Sequence, residues 1–577
     1  MKKLLPFLKP YVKESIFGPL FKLLEATFEL FVPLVVASTI DIGIEGQNAG
    51  YIVKMCLLLA ALGFIGLVCS ITAQYFAAKA SVGFAAKIRH ALFAHIQKLS
   101  FTDLDKAGTS TLITRLTSDV NQVQSGVNLT LRLLLRSPFV VFGAMIMAFT
   151  IDVPAALVFA VVIPVLCVIV FGIMLISIPL YKKVQMRLEK VLGSVREGLT
   201  GARVIRAFRM EESAEEQFRE RNEELTAVQK FVGKISALMN PVTYVIINAA
   251  AVVLIYTGAV RVEMGILTQG AVVALYNYMS QILVELVKMA NMIINLTKAA
   301  ACAKRIEDVL ETKPCQTFAD VQPETRKNAC AVQFDHVSMR YAGAGDDSLT
   351  DIDFTAEKGQ TIGIIGGTGS GKSTLVHLIP RFYDATEGTV LVDGVPVEEY
   401  PADTLREKFG FVLQKAVLFQ GTIRENLRWG NENASDAELA EAMKLAQAGE
   451  ILADKGLDYA VEQEGRNLSG GQRQRLTIAR ALVRKPEILV LDDSASALDL
   501  ATDAALRKAL REMPYDPTVF IVSQRTSSLQ HADKIIVLED GRTVGMGTHE
   551  ELLAGCAVYR EIHESQTGKG IQKGGNL

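Results

Sequence analysis

Cysteine pairing is absent from this chain of 577 residues. Cys56, Cys69, Cys167, Cys302, Cys315, Cys330 and Cys556 share no paired spacing, which leaves neither a disulfide framework nor a cysteine-based metal site. Net charge is nearly absent too. Sixty Lys and Arg against 62 Asp and Glu leave −2, which argues neither for nucleic acid nor for an acidic partner. No internal repeat or low-complexity tract is visible. No cleavable leader is expected either, because the first apolar run is a full span with acidic residues inside it.

What the chain does have is apolar length. Half of its residues are apolar and the excess falls in the first 300. Runs long enough to cross a bilayer, on the order of 20 residues each, lie at Ser15 to Ile40, Tyr51 to Ala77, Ser137 to Ile151, Val153 to Tyr181, Ile235 to Val260 and Ala271 to Leu296. The third is short and is expected to begin nearer Leu131, with Arg132 and Arg136 at its cytoplasmic end. Lys2, Lys3, Lys9 and Lys13 precede the first span, and 79–136 and 182–234 are basic. The connections at Asp41 to Gly50 and at Asp152 carry no basic residue, and Arg261 is the one exception on that side. Both termini are therefore expected in the cytoplasm.

Polar residues recur along the sixth span at Asn277, Gln281, Glu285, Lys288, Asn291 and Asn295, on one helix face. Lys22, Glu25 and Glu29 do the same on the first span. Such faces either line a water-filled path or pair helix to helix, as Glu285 and Lys288 can at i, i+3, and both readings stay open.

The last third changes character. Gly366-Gly367-Thr368-Gly369-Ser370-Gly371-Lys372-Ser373 fits GxxxxGK[ST]. In this pattern backbone amides crowd around phosphates, lysine reaches the β and γ phosphates, and Ser373 is placed to hold Mg²⁺. A β-rich run, Gln360 to Ile365, feeds the loop, and a helix can start at Ser373. Ile488 to Leu491 reads as a buried strand that ends in a metal-side carboxylate, Asp492. Between them Leu468-Ser469-Gly470-Gly471-Gln472 precedes a helical stretch, which sets Ser469 and the glycine amides at a helix start that favours an anion.

From about Ala331 to Glu561 these residues resemble the nucleotide-binding domain of ATP-binding cassette (ABC) proteins. The resemblance implies that Gly366 through Lys372, with Ser373 and Thr374, bind ATP, and that Tyr341 stacks on adenine. It also implies that Ser373, Gln414 and Asp492 serve Mg²⁺, and that Ser496-Ala497-Leu498-Asp499 forms the loop crossing to a second such domain. Ser469, Gly470, Gly471 and Gln472 would then complete the partner's ATP site. The long helical stretches between spans two and three, and four and five, match exporter-type (type I) membrane domains. Phe101 to Ala107 and Val204 to Glu212 occupy the places of coupling helices, and Gly201 to Phe208 resembles the second intracellular loop.

Two positions depart from that pattern. Asp493 stands where the family usually has a glutamate acting on the attacking water, and it is one methylene short. Gln524 stands where a histidine usually contacts the γ-phosphate, and it cannot carry charge. Asp493, Gln524 and Gln414 are the candidate catalytic residues of a handicapped site.

The expected molecule is a multidomain membrane protein. An all-α six-helix transmembrane domain (1–311) and a linker (312–330) lead to an α/β P-loop (RecA-like) ATP-binding cassette domain (331–565), then a disordered tail (566–577). The expected role is one half of an ATP- and Mg²⁺-dependent exporter in a bacterial plasma (inner) membrane, paired with a second, non-identical half. The substrate is a small amphipathic molecule (drug, lipid or peptide), and nucleic acid plays no part. Glu25, Glu29, Gln281, Glu285 and Lys288 are candidates for lining its path. The alternative is an ATP-gated regulatory or channel-like membrane protein.

Overall fold

A computed structural model of the chain describes residues 3–323, 329–494 and 497–567. Ser496, part of the linker and the expected tail beyond 567 lie outside the described residues. The chain divides into two units. One comprises Met1–Gln97 with Ser110–Thr312, and the other Lys98–Thr109 with Lys313–Leu577.

The first unit is helical. Its main helices are α1 (Val12–Ser38), α2 (Ala49–Ile96), α4 (Thr109–Thr114), α5 (Val120–Leu133), α6 (Arg136–Ile151), α7 (Val153–Thr200), α8 (Ala202–Ala207), α9 (Glu211–Ala237), α10 (Met239–Glu263) and α11 (Gln269–Glu311). The short helix α3 (Phe101–Ala107) belongs to the second unit. Among the described residues, six helical segments are long and apolar enough to cross a membrane. They run well past the apolar stretches, as the helical periodicity of the long connections requires: α2 and α7 are 48 residues each.

The short connections are held by side chains. Asn48 caps α2 by accepting from the Tyr51 amide at 3.1 Å, and Asp152 caps α7 by accepting from Ala155 at 2.9 Å. Asp152 also pairs with Arg261 at 2.7 Å, which explains the one basic residue in these loops. Asp41 takes the Thr268 hydroxyl at 2.6 Å and the Gly270 amide at 2.7 Å, tying the end of α1 to the start of α11.

The third apolar run coincides with α6, but the helix does not continue unbroken back to Leu131. The helix breaks at Leu134 and Leu135, and α6 starts at Arg136. Arg136, read from the sequence as marking a cytoplasmic end, is buried and ion-paired to Glu285 at 2.5 Å and Glu29 at 2.6 Å. Two carboxylates from distant sequence hold a charge that hydropathy alone assigns to water.

The second unit contains β1 (Val332–Met339), β2 (Leu349–Ala356), β3 (Thr361–Gly366), β4 (Glu387–Val392), β5 (Val395–Pro396), β6 (Phe409–Val412), β7 (Gly421–Thr422), β8 (Ala460–Val461), β9 (Ile488–Asp492), β10 (Thr518–Val522), β11 (Lys534–Glu539) and β12 (Arg542–Gly547). A six-stranded sheet has the order β12-β11-β3-β10-β9-β6, parallel except for β12, and an antiparallel sheet has the order β2-β1-β4-β5. Every residue of β9 and β10 is buried, as expected of central parallel strands covered on both faces. The last described helix, Ala557–Thr567, runs two residues past the expected domain end.

Contacts assign α3 to this unit rather than to the membrane helices. A capping box between Ser100 and Asp103 starts α3. Asp103 then accepts from the Cys315 amide at 3.0 Å and thiol at 2.8 Å. Phe101 lies 4.8 Å from the Phe382 ring, and the Tyr383 hydroxyl donates to Asp105 at 2.7 Å. The segment after Lys313 is pinned as well. Gln316 is buried, and Phe318 lies against the guanidinium groups of Arg381 at 4.7 Å and Arg406 at 5.3 Å.

Phe318→Ala should therefore lower the calorimetric melting transition of the second unit in the purified full chain, by the equivalent of about 1–2 kcal/mol. Phe318→Tyr keeps the aromatic face and should leave the transition within about 0.5 kcal/mol of the parent.

Candidate nucleotide site

The parallel order of β6, β9, β10 and β3 places four strand ends side by side. The loop after β3 leads into α12 (Lys372–Leu378), Asp492 ends β9, Gln524 follows β10, and Gln414 follows β6. Tyr341, Thr368, Gly369, Gly371, Lys372, Ser373, Thr374, Gln414, Asp492, Asp493 and Gln524 line one open cleft of about 330 Å³.

Glycine is required in the loop at two kinds of position. Gly371 has φ +94°, and a Cβ there would meet the Ser348 carbonyl at 2.7 Å. Gly367 is exposed and a Cβ there would meet nothing within 4 Å, so the loop has open space on this side. Gly366 is packed, since a Cβ there would meet the Leu538 carbonyl at 2.2 Å. Ser370 is buried beneath the loop.

Lys372 is buried and turned onto its own loop, donating to the carbonyls of Gly366 at 3.0 Å and Gly367 at 2.5 Å. Burial pushes its ammonium below the usual lysine range, opposed by the charges of Asp493 and Asp492. The Ser373 hydroxyl donates to Asp492 at 2.9 Å. Burial raises the Asp492 carboxyl, partly offset by the Ser373 bond. Burial also raises Asp493, offset first by Gln414, whose amide lies 3.5 Å away.

A hydroxyl and a carboxylate in contact, both hard oxygen donors, fit Mg²⁺. Among the described residues no group of three or more His, Cys, Asp or Glu converges. A cation here would therefore complete its shell with phosphate oxygens and water, as Mg²⁺ does.

Tyr341 also lines the cleft. Its hydroxyl is 3.1 Å from that of Thr374, and its ring meets Tyr383 edge-on at 5.1 Å. The Ser469–Gln472 phrase does not line this cleft. Ser469 caps the helix Gly470–Val483 by accepting from the Gln472 amide at 3.2 Å, while the Gln472 side chain accepts from the Ser469 amide at 3.0 Å. Gly470 is exposed and a Cβ there would meet nothing within 4 Å, so this helix start is open to an outside anion. Of the loop 496–499, Asp499 caps the helix Leu500–Arg511 by accepting from Thr502 at 2.8 Å.

Sequence reasoning missed two features. Asp493 sits in the left-handed region at φ +45°, so its side chain leaves the strand in a direction that a strand pattern does not give. His377 lies 3.8 Å from Asp492, among the rings of Phe382, Phe411 and Tyr383, and burial lowers its pKa. Its position four residues after Ser373 on α12 was the available signal.

Residues 15–286 match the family model for the ABC transporter transmembrane region, and residues 349–496 match that for the ABC transporter. The chain is 36% identical to the uncharacterized ABC transporter ATP-binding protein YfiB of Bacillus subtilis, over 99% of each chain. It is 31% identical to the putative multidrug export ATP-binding/permease protein YgaD of the same organism, over 98% of this chain and 99% of the relative. A solved structure of a bacterial Atm1-family ABC exporter with ATP bound superposes with a TM-score of 0.80 at 23% identity, covering 98% of this chain and 99% of that one.

Ser373→Ala removes the hydroxyl beside Asp492 and should abolish most of the gain in ATP affinity that Mg²⁺ gives over EDTA. Lys372→Ala should weaken ATP by roughly tenfold or more in either condition, since it deletes a charge-assisted contact. Equilibrium binding of a fluorescent ATP analogue, with and without Mg²⁺, separates the two effects.

Proposed function

This chain belongs to the ABC transporter family, and we propose that it works as one half of a heterodimeric exporter whose own ATP site turns over slowly. The observation that carries this reading is the pairing of Asp493 and Gln524 in one cleft with an otherwise complete set of phosphate and metal ligands. Binding needs Lys372, the loop amides, Tyr341, Ser373 and Asp492, all of which are present. Bound Mg²⁺ would offset phosphate charge during transfer of the γ-phosphoryl group. Turnover further needs a base within hydrogen-bond reach of the attacking water and a group that holds the γ-phosphate. Asp493 is short for the first task, and neutral Gln524 is weak for the second.

The phrase Ser469–Gln472 supports the other half of the reading. Its helix start is exposed and lies away from this chain's own cleft, as a surface offered to another molecule's nucleotide would be. ATP bound between that surface and a second chain's phosphate loop would close the two ATPase units, and hydrolysis mostly at the second chain's site would reset them. The substrate is an amphipathic molecule leaving the cytoplasm through a bacterial plasma membrane, with both termini on the cytoplasmic side.

Three outcomes test this. The chain alone should hydrolyse ATP slowly, and co-expression with its cognate partner should raise the rate. In that complex Gly470→Asp should cost far more steady-state turnover than Asp493→Asn, because a carboxylate at Gly470 repels the γ-phosphate of the working site. A brisk ATPase in the purified homodimer, or greater damage from Asp493→Asn, would contradict the asymmetric reading. ATP-driven flux into proteoliposomes distinguishes an exporter from a membrane protein that ATP merely gates.

A further inference from the structure

The buried start of α6 carries an ion cluster that the ATP chemistry does not use. Arg136 donates through Nη1 to Glu285 on α11 at 2.5 Å and through Nη2 to Glu29 on α1 at 2.6 Å. Glu285 also accepts from the Ser137 hydroxyl at 2.8 Å and from Lys288 at 2.9 Å. Tyr278 donates to the Leu30 carbonyl at 2.6 Å, which fixes α1 against α11 next to Glu29. The side chains of Arg136 and Glu285 are only 7% and 3% exposed, whereas those of Glu29 and Lys288 are 41% and 45% exposed.

The cluster thus has a sealed core and an open rim. Arg136 and Lys288 balance Glu29 and Glu285, and the neighbouring Glu25, whose charge also reaches Arg136, is matched by Lys22 at 2.6 Å, so the sum is zero. Glu29 takes its Arg136 bond through Oε2, leaving Oε1 outside the cluster's bonds, and Lys288 spends one of three donors on Glu285. The Arg136 Nε has no partner among the described residues, although the residue is 6% exposed. Half-exposed charges at this place are costly against lipid and favourable along a water-filled path.

Building on the exporter reading, we propose that this rim is a substrate-recognition site for zwitterionic amphiphiles. Glu29 meets the ligand's ammonium group, and Lys288 meets its phosphate or carboxylate. Charge balance selects this class. A singly charged ligand would leave one unmatched charge beside the buried Arg136–Glu285 pair, whereas a zwitterion adds none. A neutral apolar ligand would leave both rim groups without a new partner. The same chemistry is carried by phospholipid headgroups and by short apolar peptides with free termini.

The test is binding to the purified full chain in a neutral detergent without nucleotide, read by displacement of a fluorescent short-chain phosphatidylethanolamine. Competitors are unlabelled short-chain phosphatidylethanolamine, a zwitterionic apolar dipeptide, short-chain phosphatidylglycerol and tetraphenylphosphonium. The parent should prefer the zwitterions, and the better of the first two competitors identifies lipid or peptide as the source. Glu29→Gln and Lys288→Gln should each weaken phosphatidylethanolamine roughly tenfold. Glu29→Gln should shift preference towards phosphatidylglycerol, and Lys288→Gln towards tetraphenylphosphonium. The double variant Glu29→Gln with Lys288→Gln keeps the rim neutral without its charges and should lose the preference for zwitterions without gaining one for either singly charged competitor. A parent that favours a singly charged competitor, or rim variants with the parent's preferences, overturns the proposal. Rim variants that bind as the parent does while the reconstituted complex still pumps would sink this site alone. Selective binding without ATP-driven flux would sink the exporter reading alone.

Discussion

The position of β10 between β3 and β9 is the constraint on which the nucleotide cleft depends. Parallel pairing sets Val522 beside Ile364 on one side and beside Asp492 on the other. The ladder continues past the strand ends: the Ser523 amide donates to Ile364 at 3.1 Å and the Asp493 amide to Val522 at 3.1 Å. That register brings the glycine-rich loop, Asp492, Asp493 and Gln524 to one edge, although some 160 residues separate the first from the last in sequence. Parallel α/β sheets place ligands outside the carboxyl ends of their strands for this reason.

Burial then sets the electrostatics. Asp492 and Lys372 are both nearly inaccessible, and burial disfavours the charged form of each. A triphosphate with a divalent cation would give each group a partner of opposite charge in place of the neutral groups it now bonds, so the cleft gains more from its ligand than a solvated arrangement of the same residues would. The same reasoning governs the membrane helices, where Arg136 and Glu285 survive burial because each is matched.

Much of this was legible in the sequence because it is local. GxxxxGK[ST], an apolar strand ending in acid and a capping phrase each act over fewer than ten residues, and six apolar runs announce six spanning segments. What escaped depends on distant partners. Arg136 resembles an interfacial arginine until Glu29 and Glu285 are brought to it from 107 and 149 residues away. The stretch Lys98–Thr109 lies between membrane helices in sequence, yet Asp103, Phe101 and Asp105 find their partners at Cys315, Phe382 and Tyr383. The segment around Phe318 has linker composition, and two arginines that no periodicity connects to it hold it in place. Asp493 was legible as an acid, whereas its left-handed backbone was not.

The central claim is that a short base and an uncharged γ-phosphate contact limit hydrolysis at this chain's own site, while binding is left whole. The direct measurement is single-turnover hydrolysis by the proposed heterodimer in which the partner's catalytic base has been removed, comparing the parent chain with Asp493→Glu, Gln524→His. The expected result is a gain of about 10²-fold in the hydrolysis rate with little change in ATP affinity, the scale on which a positioned acid–base group acts. An unchanged or lower rate in the double variant, with ATP still bound, would contradict the claim and place the limitation elsewhere in the cleft.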